Sequence, residues 1–212
     1  MAKSRAARPP RRPRRAENKA ATKARIVAAA LALFRQKGFD AATTRAIARR
    51  ARVAEGTVFN YFPTKEDIAL FFFEQEVERA IDAVRSNARL RRAGIDEQLF
   101  ALVQTQLEYL APHERFIGAA FVHALRPGSR LGPFSPAAQA LQFRYLAFVQ
   151  DLVEEAVRRG ELKSVGWWTP HAFWIYYLGL LLYWLHDTSE GKQETLAFLD
   201  RSLKLGLAVL RQ

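Results

Sequence analysis

Two hydroxyl side chains and two guanidinium groups lie close together in the chain, at Thr44, Arg45, Arg49 and Thr57. A hydroxyl at a helix N-terminus can bind a phosphate oxygen, and a hydroxyl beside a base can also touch a thymine methyl group. Arg45 and Arg49 are four residues apart, which places them on one face of a helix. These residue types predict recognition of a polyanionic backbone.

The charge of the chain is concentrated around the same segment. Residues 1–65 contain 17 Lys and Arg against 3 acidic residues, whereas residues 66–212 contain 16 against 18. The net charge of +12 therefore arises entirely from the first third of the sequence. A basic block joined to a near-neutral one predicts a polyanion-binding module on a neutral body.

Three short helices are predicted between residues 20 and 62. The first ends at Gly38, the second begins near Thr43, and the third runs from about Glu55 to Asn60. This is the size of a helix-turn-helix module, in which the second helix of the pair enters the DNA major groove. Apolar residues at helical spacing are expected to close its core: Ile47, Ala51, Val53 and Phe62.

The segment TTRAIARRARVAEGTVFNYFPTKEDI, residues 43–68, resembles the DNA-binding segment of TetR-family regulators. The resemblance covers about residues 20–70 and implies that Tyr61 and Lys65 hold DNA phosphates. Gly56 is expected to let the recognition helix approach DNA without a side chain in the way. The predicted DNA-binding residues are Thr44, Arg45, Arg49, Glu55, Gly56, Thr57, Phe59, Asn60, Tyr61 and Lys65.

Two positions depart from the family pattern, which often has glycine and serine flanking the valine of the turn. Arg52 must adopt a left-handed conformation or the turn must differ. Ala54 has no oxygen with which to cap the third helix. Two residues of the recognition helix keep alternative interpretations: Glu55 as a residue that favours a helix N-terminus, and Phe59 as a packing residue.

The rest of the chain reads as helices without strands, which predicts an all-α fold of about nine helices. Thr64 is predicted to cap a fourth helix that reaches about Arg92, and Asp96 to cap a fifth. Ser135-Pro136 and Thr169-Pro170 are start signals for the seventh and eighth helices. The ninth, about residues 192–211, has leucines at helical spacing: Leu196, Leu199, Leu203, Leu207 and Leu210.

Three domains follow from these boundaries. Residues 1–16, with seven cations and no acid, are expected to form a disordered basic arm, which either visits DNA or is a solvated tail. Residues 17–64 form the DNA-binding domain, and residues 65–212 form a helical ligand-binding and dimerisation domain.

The C-terminal domain is rich in aromatic residues, most of which must form an ordinary helical core. The family resemblance implies a ligand pocket among the central helices, and homodimerisation through the last two helices. The eighth helix is apolar almost all round, so that a partner subunit is a natural cover. A small apolar or aromatic effector is expected between the fourth and eighth helices, and the candidate lining residues are Phe100, Phe121, His123, Phe148 and Tyr176.

Several classes of function are disfavoured. The chain has no cysteine, no pair of histidines at metal-ligand spacing, no nucleophile–base signature and no Gly-rich phosphate loop. Its longest apolar run, Ala172–Leu185, is short for a membrane span. We therefore expect neither an enzyme nor a metal, cofactor or membrane protein, and the absence of cysteine suits the cytoplasm.

The sequence thus predicts a homodimeric transcriptional regulator, a repressor that leaves a two-fold symmetric double-stranded DNA operator when a small molecule binds. One alternative is an architectural DNA-binding protein without ligand control, which would show little sequence preference. A second is an enzyme or carrier that uses the helical body, for which the sequence offers no catalytic residues.

Overall fold

A computed structural model describes residues 13–163 and 165–211. Within these ranges the chain is all-α, as the sequence predicts, with nine α-helices, three short 3-10 turns and no strand. The helices are α1 (Pro13–Lys37), α2 (Thr44–Ala51), α3 (Glu55–Tyr61), α4 (Lys65–Ser86), α5 (Ile95–Leu110), α6 (Glu114–Ala124), α7 (Pro136–Arg158), α8 (Thr169–His186) and α9 (Gln193–Leu210).

The chain divides into two compact units, and the division falls inside α4, after Ile68. The predicted boundary between residues 64 and 65 lies four residues before this division. Ile68 is fully buried, and Lys65 hydrogen-bonds to the loop that precedes α2. The first turn of α4 thus belongs to the N-terminal unit because its side chains complete the core and the hydrogen bonding of that unit.

The N-terminal unit is a three-helix module closed by the start of α4. Its core is formed by fully or nearly fully buried side chains of α1, α2 and α3: Ile26, Ala30, Phe34, Ile47, Ala51 and Val58. Phe62, just after α3, completes this core. Val53, predicted to belong to the core, is only half-buried in the turn between α2 and α3.

Local capping explains where several helices begin. The hydroxyl of Thr43 accepts a hydrogen bond from the Ala46 amide, and that of Ser135 accepts one from the Ala138 amide. Thr64 accepts from the Asp67 amide while the Asp67 carboxylate accepts from the Thr64 amide, which is a reciprocal cap. These three predicted caps are confirmed, since each depends on a side chain and an amide only three residues apart.

One predicted helix boundary and two predicted caps are wrong. The fourth helix ends at Ser86 rather than near Arg92, because the side chain of Asn87 accepts hydrogen bonds from the amides of a following 3-10 turn. Asp96 does not cap α5; the Ile95 amide donates instead to Glu161, 2.8 Å away, from beyond α7. Thr169 is the first residue of α8 rather than its cap, and its hydroxyl makes no capping bond.

The predicted basic arm covers residues 1–16, of which residues 1–12 lie outside the described part of the chain. Residues 13–16 belong to α1, so the structure extends the first helix into the predicted arm. Proline at the first helical position loses no hydrogen bond, and the residues that follow favour helix, which accounts for the earlier start.

The C-terminal unit is a helical bundle. In it α5 packs against α7 and α9, and α8 packs against the same two helices. Large side chains fill its interior, including Trp184, Tyr145, Phe116 and Leu102. No helix in the described ranges combines the length and the hydropathy that crossing a membrane requires.

Candidate functional site

Helix α3 exposes one polar face and buries a single residue. Val58 is completely buried and fixes the helix to the module. The exposed positions are spaced three and four residues apart, and they therefore lie on one side of the helix: Glu55, Gly56, Phe59 and Asn60. Thr57 and Tyr61 are half-buried on its flanks. This solvent-facing surface contains six of the ten residues predicted to bind DNA, and we call it the α3 face.

Gly56 and Phe59 are the least expected residues on an exposed helix surface. A Cβ atom built on Gly56 would meet nothing within 4 Å, so no contact inside the chain requires glycine there. Glycine in an exposed helix costs about 1 kcal/mol relative to alanine. Phe59 is 46% exposed, which excludes the interpretation of this side chain as a core residue. Both observations fit a surface that meets a close-fitting partner.

Helix α2 adds positive charge beside α3. Arg45, Arg49 and Arg50 are exposed, and Arg50 is tied back to Gln36 of α1 by a hydrogen bond of 3.4 Å. Arg52 follows the helix with φ of 54°, which is the left-handed conformation, one of the two alternatives that the sequence leaves open. Its amide and that of Val53 donate to the last carbonyls of α2, which forms a Schellman-type end.

Thr44 joins the starts of the two helices. Its hydroxyl donates to the carboxylate of Glu55 over 3.3 Å, so the first residues of α2 and α3 are linked. Ala54 offers no side-chain cap, as predicted, and the amides of Thr57 and Val58 reach its carbonyl instead. Glu55 therefore links the first turns of two helices in addition to any contact it makes with DNA.

Lys65 has a structural role that the sequence does not predict. Its ammonium group donates to the carbonyl oxygens of Phe39, at 2.6 Å, and of Asp40, at 3.1 Å. It also lies 4.6 Å from the centre of the Phe39 ring, a cation–π distance. Lys65 thus ties the start of α4 to the turn between α1 and α2.

The C-terminal unit contains an apolar cavity of about 240 Å³. Helices α4 to α8 and the loop between α6 and α7 contribute its walls. The lining is aliphatic and aromatic apart from a few polar groups, and its aromatic members are Phe73, Phe121, Trp174 and Tyr177. A cavity of this composition suits a small molecule with a large apolar surface.

Two buried side chains of the cavity wall have an oxygen without a hydrogen-bond partner. These are Oε2 of Glu76 on α4 and Oε1 of Gln106 on α5, whose residues are 3% and 4% exposed. The other carboxylate oxygen of Glu76 accepts from Arg79 at 2.9 Å. Burial raises the pKa of the Glu76 carboxyl, and the Arg79 guanidinium opposes that shift.

The five predicted ligand-binding residues are distributed over several parts of the C-terminal unit. Phe121 lines the cavity, whereas the other four are absent from its wall. His123 contacts Arg126, Phe148 lies under the guanidinium of Arg85, and the Tyr176 hydroxyl is 2.7 Å from that of Ser202 on α9. Phe100 is half-buried elsewhere on α5.

Sequence reasoning missed Glu76, although a signal for it is present. Glu76 continues a buried stripe of α4 that contains Ala69, Phe72 and Ala80, at spacings of three and four residues. A carboxylate at an apolar position of a helix is the kind of exception that marks a site. Gln106 interrupts the apolar face of α5 in the same way, between Val103 and Leu110.

Helices α8 and α9 present a second exposed surface, which is apolar. On α8 it includes Ile175, which is 70% exposed, and Leu182; on α9 it includes Leu205, which is 72% exposed, and Val209. Tyr183 and Phe198 join the two halves, with ring centres 5.3 Å apart. We call these six residues the α8–α9 face. Apolar side chains in a contiguous exposed group are typical of an interface.

The fold and the α3 face define a helix-turn-helix DNA-binding protein, and known protein families support this assignment. The family described as bacterial regulatory proteins, tetR family, matches residues 26–70. The tetracyclin repressor-like C-terminal domain matches residues 98–212. The chain belongs to the TetR family of transcriptional regulators, which are DNA-binding proteins and not enzymes.

Individual relatives agree with this assignment. The fatty acid metabolism regulator protein of Bacillus subtilis is 24% identical over 66% of this chain and 70% of its own length. The repressor KstR of Mycolicibacterium smegmatis is 42% identical, over 31% of this chain and 32% of its own. The crystal structure of Thermus thermophilus FadR, a TetR-family repressor in complex with lauroyl-CoA, superposes with a TM-score of 0.65, at 26% identity over 85% of this chain and 92% of that one.

Proposed function

We propose that this regulator is a homodimeric repressor whose affinity for a two-fold symmetric operator falls when a small apolar molecule enters the cavity of the C-terminal unit. It would act in the cytoplasm, where its operator DNA lies. The observation that carries the proposal is the continuity of α4. This single helix begins at Lys65, a predicted phosphate contact, and lines the cavity with Leu70, Phe73, Glu76 and Val77.

The DNA-binding half of the proposal rests on the α3 face and the cations beside it. Arg45, Arg49 and Arg52 are exposed next to a helix whose buried residue is Val58 alone. Phosphate contacts position a protein on the duplex, and contacts to base edges specify the sequence. We assign positioning to the arginines, Thr44, Tyr61 and Lys65, and base contact to the other residues of the α3 face: Glu55, Gly56, Thr57, Phe59 and Asn60.

The ligand-binding half rests on the cavity. A molecule that fits it touches α4 directly, and a shift of α4 would move Lys65 and Tyr61 relative to DNA. An effector needs only a different affinity for the two states of the protein, and typical couplings of about 1–3 kcal/mol change affinity roughly 5–150-fold. Two of the relatives, KstR and Thermus thermophilus FadR, are repressors, and we propose loss of DNA binding as the effect of the ligand.

The homodimer rests on the α8–α9 face. Gly179 of α8 and Gly206 of α9 are exposed in the middle of their helices, and a Cβ atom on either would meet nothing within 4 Å. Glycine is unfavourable there unless another surface approaches closely. A second copy of the chain, packed with its own α8 and α9 against this face, would bury the apolar side chains and use both glycines.

The proposal is tested by identifying the operator and then measuring whether a ligand lowers the affinity of the protein for it. Duplexes selected from a random pool by the full-length protein should share a two-fold symmetric sequence, with half-sites one helical turn apart or a multiple of it. Fluorescence anisotropy with the selected duplex then measures the dissociation constant alone and with lauroyl-CoA, the probe suggested by the FadR complex.

An operator affinity that falls at least fivefold with a bound apolar probe supports the repressor. Selection that enriches no sequence would favour the architectural alternative. A selected operator whose affinity is unchanged by every apolar probe that binds the protein would contradict ligand control.

A further inference from the structure

The charge distribution on the cavity wall differs from that of a site for an acid. Among the described residues that line the cavity, Glu76 is the only one with a formal charge, and none is Lys, Arg or His. The polar groups that accompany it are amides and ring substituents: Gln106, Gln142, Trp174 and Tyr177. A carboxylate or phosphate group in this cavity would face the Glu76 carboxylate, whose cationic partner Arg79 is not among the lining residues.

The hydrogen bonding of Glu76 leaves one oxygen for a ligand. Its Oε1 is engaged by Arg79, whose side chain is 57% exposed at the other end of the pair. Its Oε2 is buried and without a partner, as is Oε1 of Gln106 on the neighbouring wall. Buried acceptors of this kind are destabilising unless a donor reaches them, so two of them in one cavity indicate a donor supplied from outside the chain.

A purely structural role does not account for the carboxylate. Glu76 occupies the apolar stripe of α4, where leucine or methionine would fill the space without an unpaired oxygen. The bond to Arg79 lies within α4; the Arg79 guanidinium also lies 5.8 Å from the ring centre of Tyr109 on α5, but these contacts leave Oε2 of Glu76 without a partner. Gln106 lies on α5 in the wall of the same cavity, and its Oε1 also has no hydrogen-bond partner.

We infer that the cavity binds a small apolar amine, whose ammonium group donates hydrogen bonds to Oε2 of Glu76 and Oε1 of Gln106 while its hydrocarbon part packs among the aromatic and aliphatic side chains. The inference rests on the proposed function, because it names the chemical class of the effector for that same cavity. Ion-paired hydrogen bonds are shorter and stronger than neutral ones, which gives the amine an advantage over an alcohol of the same shape.

The volume of the cavity is sufficient for a small amine. A cavity needs about 10–15 Å³ of such volume for one water molecule, so 240 Å³ has room for a molecule of the size of heptylamine. 1-Heptanol and heptanoate are matched to heptylamine in chain length but present a neutral and an anionic head. These three compounds separate the contribution of charge from that of apolar burial.

The experiment is isothermal titration of the full-length protein with each compound, at neutral pH and without DNA. We expect heptylamine to bind at least tenfold more tightly than 1-heptanol, and heptanoate to bind more weakly than either. Glu76→Gln should weaken heptylamine binding roughly 10- to 100-fold, because a hydrogen bond to a charged group is lost, and should leave 1-heptanol binding within about threefold.

Glu74→Gln is the matched control. Glu74 lies on the same helix and faces Arg144 at 3.4 Å, outside the cavity wall, so this substitution makes the same charge change without touching the site. Heptylamine affinity should be unchanged in it. Gln106→Leu is a second test, since it removes the other acceptor and should also weaken heptylamine selectively, even if Glu76→Gln fails to fold.

Binding of heptanoate or lauroyl-CoA as tight as that of heptylamine would overturn the inference, as would heptylamine affinity that is indifferent to both substitutions or absent altogether. The proposed function fails separately. Heptylamine that binds through Glu76 without changing operator affinity would support the inference and contradict ligand control. If lauroyl-CoA released the operator and heptylamine did not, ligand control would be supported and the inference contradicted.

Discussion

The ammonium of Lys65 lies 2.6 Å from the carbonyl oxygen of Phe39 and above the ring of the same residue. A side chain that family resemblance assigns to DNA phosphate therefore also holds the start of α4 against the turn between α1 and α2. We propose that α4 influences DNA binding through this residue.

This double role makes a specific prediction for Lys65→Ala. The free energy of unfolding should fall by about 1–2 kcal/mol, because two charge-assisted hydrogen bonds at a half-buried site are lost. DNA affinity should fall by a similar factor for every sequence, since a phosphate contact does not specify. Chemical denaturation and anisotropy with two unrelated duplexes measure the two effects.

Tyr61→Phe and Lys204→Ala are the comparisons. Tyr61→Phe removes one hydroxyl and should weaken DNA binding generally with little change in stability. Lys204→Ala removes a cation from α9 that pairs with Asp200, and should leave DNA affinity unchanged. A Lys65→Ala protein that kept its general affinity but changed its sequence preference would refute the assignment.

Gly56→Ala tests whether the glycine is required for folding or for DNA binding. The added methyl group meets nothing within 4 Å in the free protein. The free energy of unfolding should therefore stay the same or rise by up to about 1 kcal/mol, which a thermal melt detects. Operator affinity should fall at least tenfold, because the methyl group blocks close approach of α3. Unchanged affinity would show that DNA does not reach this part of the helix.

The dimer is tested on the exposed side of α9. The leucine repeat alone singles out Leu203 and Leu207 as positions where a charge dissociates or unfolds the protein, and the structure places both in the core. Leu205→Glu and Val209→Glu should instead yield a folded monomer by light scattering and circular dichroism. Leu203→Glu, the buried counterpart, should unfold the chain. A native protein that is monomeric would remove the basis for a two-fold operator.

The lowered pKa of the Asp187 carboxyl makes the stability of the protein depend on pH. Burial raises the pKa of its carboxyl, but hydrogen bonds from the hydroxyls and amides of Ser189 and Thr195 outweigh burial and hold the pKa well below its usual value. Because the folded-state pKa is depressed, the stabilisation is complete above the unfolded-state value of about 3.9 and is lost as pH falls below it.

Asp187→Asn should therefore lower the melting temperature at pH 7 and flatten its decline between about pH 4 and pH 2. Thermal melts across this range measure both. Asp200→Asn, on the exposed side of α9, is the control and should follow the native curve. An Asp187→Asn protein with the native profile would mean that the network at the start of α9 does not contribute to stability.

Helix starts were predictable from sequence where the interaction is local. Thr43, Thr64 and Ser135 each bond an amide three residues away, so residue type and spacing suffice. The start of α5 was not predictable, because its cap comes from Glu161, which is 66 residues away. Asp96 is a residue type that often caps helices, and it lies at the start of α5. The Ile95 amide bonds to Glu161 instead, and a local sequence pattern does not reveal this tertiary contact.

The α3 face and the cavity differ in the same way, since the first depends on a local pattern and the second on tertiary packing. The α3 face follows from one short helix whose single buried residue, Val58, fixes which side is exposed. The cavity is built from five helices and a loop, and its lining depends on how each is rotated, which aromatic content does not indicate. Phe121 was selected and Phe73 was not, although both line it. The second role of Lys65 likewise depends on a turn 26 residues away.

The most direct test of the central claim is a reciprocal titration. The affinity of an apolar probe that releases the operator is measured by calorimetry on the free protein and on the protein saturated with operator duplex. Linkage requires that the operator weaken probe binding by the same factor as the probe weakens operator binding, which we expect to be about 5- to 150-fold. Equal probe affinity with and without operator would contradict the account, because the cavity would then have no influence on DNA binding.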